Sequence, residues 1–161
     1  KGGRPGGWGV GCALAGALGV ARLGRAAAAI DHGATVRSET DLAATVERID
    51  AAAVDLYENE ALALVGTPPP QRVLEVTLPD EGYTSAAPDH LALARAPEEN
   101  ITSVSYRFPG RAERSHVIDA PLVRAGERRF RLDGYTGAVT LFLRLVPGSD
   151  GRPVVSVTVR Q

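Results

Sequence analysis

The residue types of a hydrolytic site occur together around His116, which follows Ser115 and has Glu113 and Asp119 nearby. A serine nucleophile needs a histidine base within hydrogen-bonding distance, and the base needs a carboxylate that orients it. This segment has the pattern of a β-strand, in which neighbouring side chains point to opposite faces. Ser115 and His116 therefore cannot easily meet, and we predict no catalytic residues.

Metal and cofactor sites are not predicted either. The chain of 161 residues has three histidines, His32, His90 and His116, and one cysteine, Cys12. Their spacing fits neither a zinc site nor a CxxC motif, and a single cysteine cannot form a disulfide within the chain. The sequence also lacks GxSxG, HExxH and glycine-rich phosphate motifs. We therefore expect no metal, no cofactor and no identified small-molecule substrate.

Charge is unevenly distributed along the chain. Residues 1–30 contain four basic residues and no acid, whereas residues 34–60 contain seven acids and two arginines. The remaining part, residues 71–161, has twelve arginines and eleven acids. A nucleic-acid binder usually concentrates positive charge on its folded domain. We therefore expect no nucleic-acid partner, although Arg128–Arg131 leaves contact with an acidic polymer or partner open.

The first 30 residues have the composition of a membrane anchor or a signal segment. The run Trp8–Ala21 is uncharged, and as a helix it would reach about 21 Å, short of the roughly 30 Å hydrocarbon layer. A helix that continues to Ile30 would be long enough if Arg22 and Arg25 reach the headgroups. A cleaved signal peptide and a buried soluble helix are the alternatives.

Small residues recur at every fourth position within this run. Gly11, Ala15 and Gly19 would share one face of a helix, and such a face allows another membrane helix to approach closely. We therefore predict a membrane helix-packing face at these three positions.

Residues 31–65 are predicted to form an amphipathic helical stalk. Apolar residues follow the 3–4 spacing of one helix face, and a helix is expected from about Glu39 to Leu64. We interpret this stripe as a stalk interface with protein partners, with packing on the head or on one partner helix as the alternative. The stripe consists of Leu42, Val46, Ile49, Ala53 and Leu56.

A proline-rich linker at residues 66–71 ends the stalk, because Pro68-Pro69-Pro70 removes backbone donors and forces extended geometry. Residues 72–161 then alternate apolar and polar side chains, as half-buried strands do. About seven strands are expected, including a terminal hairpin through Pro147–Gly151. The predicted class is α+β: a long N-terminal helix with an apolar start and an amphipathic stalk, followed by a small antiparallel β-sandwich expected to fold alone.

Asn100-Ile101-Thr102 forms an N-glycosylation motif within the predicted head. We treat Asn100 as a possible glycosylation site, which would require an exterior location.

Three segments carry a resemblance to a known family: Arg72–Pro79 after the proline-rich break, Asp119–Leu122, and Gly151–Val155. With the N-terminal helix and the acidic stalk, they resemble an uncharacterised family of small archaeal membrane proteins, best represented in halophiles. The genes of that family tend to accompany ATPases of type IV pilus-like or archaellum-like assembly and secretion. The resemblance implies a role near such machinery and supplies no active-site residues.

The sequence thus favours a non-catalytic, membrane-anchored accessory or pilin-like subunit with an extracytoplasmic β head. Its expected partners are the membrane and proteins of an envelope assembly, contacted through the N-terminal helix and the head. The alternative is an extracytoplasmic binding or adhesion module. Such a module would favour an exposed aromatic platform, and the chain has only eight aromatic residues among Trp, Tyr and Phe.

Overall fold

The computed structural model describes residues 12–82, 84–96 and 98–161, and side chains are described from His32 onward. The predicted anchor and its packing face at Gly11, Ala15 and Gly19 therefore lie outside the described side chains. Within the described part of the chain, no helix is both long enough and apolar enough to cross a bilayer.

One helix, α1, spans Cys12–Asn59. Its 3–4 apolar spacing places Leu42, Val46, Ile49, Ala53 and Leu56 on one face, and each of these side chains is at most 5% exposed. The helix ends five residues before the predicted end. A turn then forms in which the Thr67 amide donates to the Leu64 carbonyl at 3.0 Å, and the three prolines follow.

Eight strands come after the helix, and their alternating burial follows the period of two in the sequence. About seven strands were expected from the sequence, and the additional one, β5, has only two residues. The strands are β1 Gln71–Leu78, β2 His90–Arg95, β3 Thr102–Arg107, β4 Arg114–Ile118, β5 Leu122–Val123, β6 Arg129–Arg131, β7 Gly137–Pro147 and β8 Pro153–Arg160.

The strands form two four-stranded sheets. Sheet A has the order β1-β7-β8-β5, and sheet B has the order β4-β3-β2-β6. The predicted terminal hairpin is present, because β7 pairs antiparallel with β8 and Leu143 lies opposite Val157. The short strand β5 pairs parallel with β8, so sheet A is mixed and sheet B is antiparallel.

The apolar stripe of α1 belongs to the same hydrophobic core as both sheets. A cavity of about 10 Å³ lies where the three elements meet, between Ile49 of the helix, Leu78 of sheet A and Leu93 of sheet B. The helix also contacts β1 and β4, which are edge strands of the two sheets. It therefore fills the opening between the sheets on the side of those two edges.

The predicted fold class is wrong. The described side chains of the helix, from His32 to Asn59, do not form a stalk in front of an independent antiparallel sandwich. Instead, they complete a core that they share with eight strands, and one strand pair is parallel. Burial of the helix stripe explains the difference, since an amphipathic helix is stabilised mainly by packing its apolar face.

We expect Ile49→Asp to destabilise the fold by more than about 4 kcal/mol, because it buries an unpaired charge in the shared core. The matched control is Ala51→Asp, which places the same charge at an exposed position of the same helix. Urea unfolding followed by circular dichroism would compare the two variants. Equal stability of Ile49→Asp and the parent chain would contradict the shared core.

Candidate functional site

Charged side chains flank the apolar stripe of α1 on both sides. We call this set the helix clamp. On the side of sheet B, Glu39 and Asp50 of the helix meet basic residues of β4 and of the loop before it. On the side of sheet A, Asp55 and the nearby Glu60 meet a basic residue of β1. The basic partners are Arg72, Arg111, Arg114 and His116.

Glu39 is the most buried acid of the clamp, with 7% of its surface exposed. Its Oε2 atom accepts hydrogen bonds from Nε and Nη2 of Arg111 at 3.1 and 2.9 Å, and its Oε1 atom accepts one from Arg114. Burial acts to raise the pKa of Glu39, but the hydrogen bonds and charges of Arg114 and Arg111 outweigh it and lower the pKa. The carboxylate is thus held in its charged form.

His116 lies opposite Val104 in the ladder between β4 and β3 and points towards the helix. Its Nε2 atom is 2.7 Å from Oδ2 of Asp50. The neighbouring Ser115 is exposed and lies opposite Ser105. The strand therefore separates Ser115 from His116, and the histidine contacts a helix carboxylate.

Arg72 connects β1 to the end of the helix. It donates from Nε to Asp55 at 2.9 Å and from Nη2 to Glu60 at 2.9 Å. Hydrogen bonds from Asn59 and Arg72 lower the pKa of Asp55. Arg48 adds a hydrogen bond from its Nη2 atom to the backbone carbonyl of Glu75 at 2.9 Å. Both edge strands next to the helix are thus bound to it by polar contacts.

A groove of about 420 Å³ runs beside the clamp, between α1 and β4. Arg114 on its wall already pairs with Glu39, so its charge is compensated, and His116 already contacts Asp50. The described residues contain no group of three or more histidine, cysteine or acidic side chains that could hold a metal ion. The groove is lined by Ala43, Val46, Glu47, Tyr106, Glu113, Arg114, Ser115 and His116.

A serine and a histidine do meet elsewhere, on the outer face of sheet B. Nε2 of His90 is 3.0 Å from the hydroxyl of Ser105. Both residues lie in the two central strands of sheet B, and the pairing of β2 with β3 engages the backbone around them. Acyl transfer also needs donors aimed at a developing oxyanion, and ladder amides are not free for that task. The contact therefore fixes the imidazole on the sheet face.

Sequence reasoning missed the partners of the clamp because they are far apart in the chain. The pairs Asp50 with His116, Glu39 with Arg111 and Glu39 with Arg114 are separated by 66, 72 and 75 positions. No local motif marks such pairs. The alternation of β4 does carry one signal, because it places His116 on the same face as the buried Ile118.

The predicted stalk interface is buried within the chain. Leu42, Val46, Ile49, Ala53 and Leu56 contact the core of the head, which is the alternative considered for the stripe. These residues are thus covered without a partner protein.

Asn100, the possible glycosylation site, lies in the turn between β2 and β3, where the Ala96 amide donates to the Ile101 carbonyl at 2.9 Å. Its φ angle of 53° lies in the left-handed region, which asparagine tolerates better than most residues. The turn geometry alone gives a reason for asparagine at this position, and glycosylation stays a prediction.

Residues 11–160 match one protein family, described as Domain of unknown function (DUF7311). No curated protein and no solved structure matches the chain. The matched residues include the whole of α1 and all eight strands.

We expect Glu39→Gln to lower the free energy of unfolding by about 1–2 kcal/mol at neutral pH, because two arginines lose a charged acceptor. The pKa of Glu39 is lower in the folded chain than its ordinary value of 4.5. Its stabilisation is therefore complete above that pH and is lost as the pH falls through the folded pKa. Glu39→Gln should flatten this acid dependence.

The matched control for this prediction is Glu47→Gln, which makes the same change at an exposed position of α1. Urea unfolding of both variants between pH 3 and pH 7 is the measurement. Identical acid dependence of Glu39→Gln and the parent would show that the clamp does not stabilise the fold.

Proposed function

We propose that this chain, which belongs to the family described as Domain of unknown function (DUF7311), is a non-catalytic structural subunit of a cell-envelope assembly. Its N-terminal segment would hold it in the membrane or in a helical bundle of the assembly. Its β-rich domain would face the outside. The resemblance to small archaeal membrane proteins supports an assembly of the type IV pilus-like or secretion class.

The observation that carries this proposal is the integration of α1 into the core of the β-rich domain. The helix stripe is buried between two sheets, and the clamp binds the helix to β1 and to β4. A force or a displacement applied to the helix therefore acts on the whole domain. This is the property that a subunit needs if one segment is held and the rest is displayed.

The burial of α1 also changes along its length. Ser38 and Glu39 are the first buried positions of the described helix, whereas His32, Gly33 and Arg37 are exposed and Val36 is 40% exposed. Among the side chains described from His32 onward, full burial against the β-rich domain thus begins at Ser38. The uncharged run Trp8–Ala21 precedes this point in the sequence, which supports a role for that run in attachment.

A binding or adhesion module is the second candidate, and one surface feature favours it. Leu64 and Val65 are 80% and 107% exposed in the turn after α1. Thr67 donates from its hydroxyl and its amide to the Leu64 carbonyl at 2.6 and 3.0 Å, and Gly66 has a φ of 91°. A turn ordered before binding loses little entropy when a partner covers its apolar side chains.

We expect the full chain to stay with the membrane fraction after a carbonate wash, and Leu18→Asp to release most of it. A carboxylate in the middle of an apolar helix costs about 2.5–3.5 kcal/mol, which corresponds to roughly a 100-fold shift in partitioning. Immunoblotting of the membrane and soluble fractions is the measurement.

Val36→Asp is the matched control, because it adds the same charge to α1 at an exposed position. This variant should remain in the membrane fraction. Recovery of the uncleaved parent chain in the soluble fraction would overturn the attachment. Full retention of Leu18→Asp would show that the uncharged run is not what holds the chain.

A further inference from the structure

The outer face of sheet B is flat because its central residues are small. In the middle of β2 and β3 the outward positions are Ala92, Ala94, Ser103 and Ser105, and the pairing places Ala94 opposite Ser103 and Ala92 opposite Ser105. The larger outward side chains of these two strands, His90 and Arg107, lie opposite each other at one end, where the Ser105 hydroxyl contacts His90. A second flat surface can therefore approach this face closely.

The two sides of this face carry opposite charge. On the β6 side, Arg129 and Arg131 lie opposite Ala94 and Ala92 and are exposed. On the β4 side, Glu113 and Asp119 flank the strand and are exposed. Among the ion pairs of the described residues, none includes Arg129, Glu113 or Asp119, whereas Arg131 pairs with Asp133.

A face that carries both charges can pair its basic side with the acidic side of an identical copy. A polyanion would be repelled by Glu113 and Asp119 on the β4 side, so we favour a contact between identical copies. A two-fold axis that runs along the strands turns the face over and exchanges its two sides. β6 of one copy then lies above β4 of the other. One row of paired residues crosses the sheet from Arg129 through Ala94 and Ser103 to Val117. The rotation therefore places Arg129 of one copy above Val117 of the second copy. Asp119 of that second copy lies two residues further along the chain.

We infer that the outer face of sheet B binds a second copy of this chain in a two-fold symmetric dimer. The small residues of β2 and β3 form its centre, and Arg129 of each copy pairs with Asp119 of the other. The contact is isologous and closes at two copies. It uses the β-rich domain alone, so it goes beyond the proposed envelope function and does not depend on it.

The area of this face indicates how tightly the two copies can bind. Four strands at about 4.8 Å spacing and six residues at about 3.4 Å each give a footprint of roughly 400 Å² per copy. Stable dimers bury about 800 Å² per partner. We therefore expect a weak dimer in solution, which becomes populated when an assembly holds copies at high local concentration.

Sedimentation velocity of the full chain in a mild detergent at low salt, over a range of concentrations, tests the inference. The parent should form a dimer, and Arg129→Glu and Asp119→Arg should each raise its dissociation constant at least tenfold. The double variant Arg129→Glu with Asp119→Arg should restore dimer formation. Within one copy the two residues are three strand spacings apart, about 14 Å, so restoration reports a contact between copies.

Arg37→Glu is the control, since it makes the same charge change on α1 and should leave the dimer unchanged. A parent that stays monomeric overturns the inference, as does self-association that persists in Arg129→Glu. Failure of the double variant to restore the dimer also overturns it. None of these outcomes alters retention in the membrane fraction, so they are distinguishable from failure of the proposed envelope function.

Discussion

Burial of one helix face between two sheets is the interaction on which the rest of this structure depends. Leu42, Ala53 and Leu56 have no exposed surface, although they belong to the helix that precedes the strands. A two-sheet core with an open side would leave apolar side chains of both sheets in contact with water, at a cost of about 25 cal/mol per Å². The helix removes that cost by closing the opening.

The polar contacts follow from this burial. Once the stripe faces the core, the acids beside it lie at the boundary between core and water, where an unpaired charge is costly. Arg72 of β1 and Arg114 of β4 meet these acids on opposite sides of the helix. The pairs therefore fix the rotation and the axial position of a helix that apolar packing alone would hold less specifically.

Local patterns were sufficient to predict the longer strands and the apolar stripe, but not what the stripe contacts. Alternation along Val139–Leu145 requires only neighbouring residues, so β7 and the terminal hairpin could be read from the sequence. The two-residue strand β5 has no alternation to read, and its parallel partner is more than thirty positions away. An amphipathic pattern predicts that one helix face is buried, but it does not predict which surface covers that face. From the sequence, the helix could therefore have packed on a partner or on its own chain. The clamp was missed for the same reason.

The order of the elements, with α1 before all eight strands, affects how the domain can form during synthesis. Unpaired strand edges are sites at which other chains can add and aggregate, and β1 and β4 are the longer of the four sheet edges. The helix that lies against both of them leaves the ribosome before any strand does. Each of these edges can therefore be covered as soon as it is made, so the growing chain exposes them to other molecules only briefly.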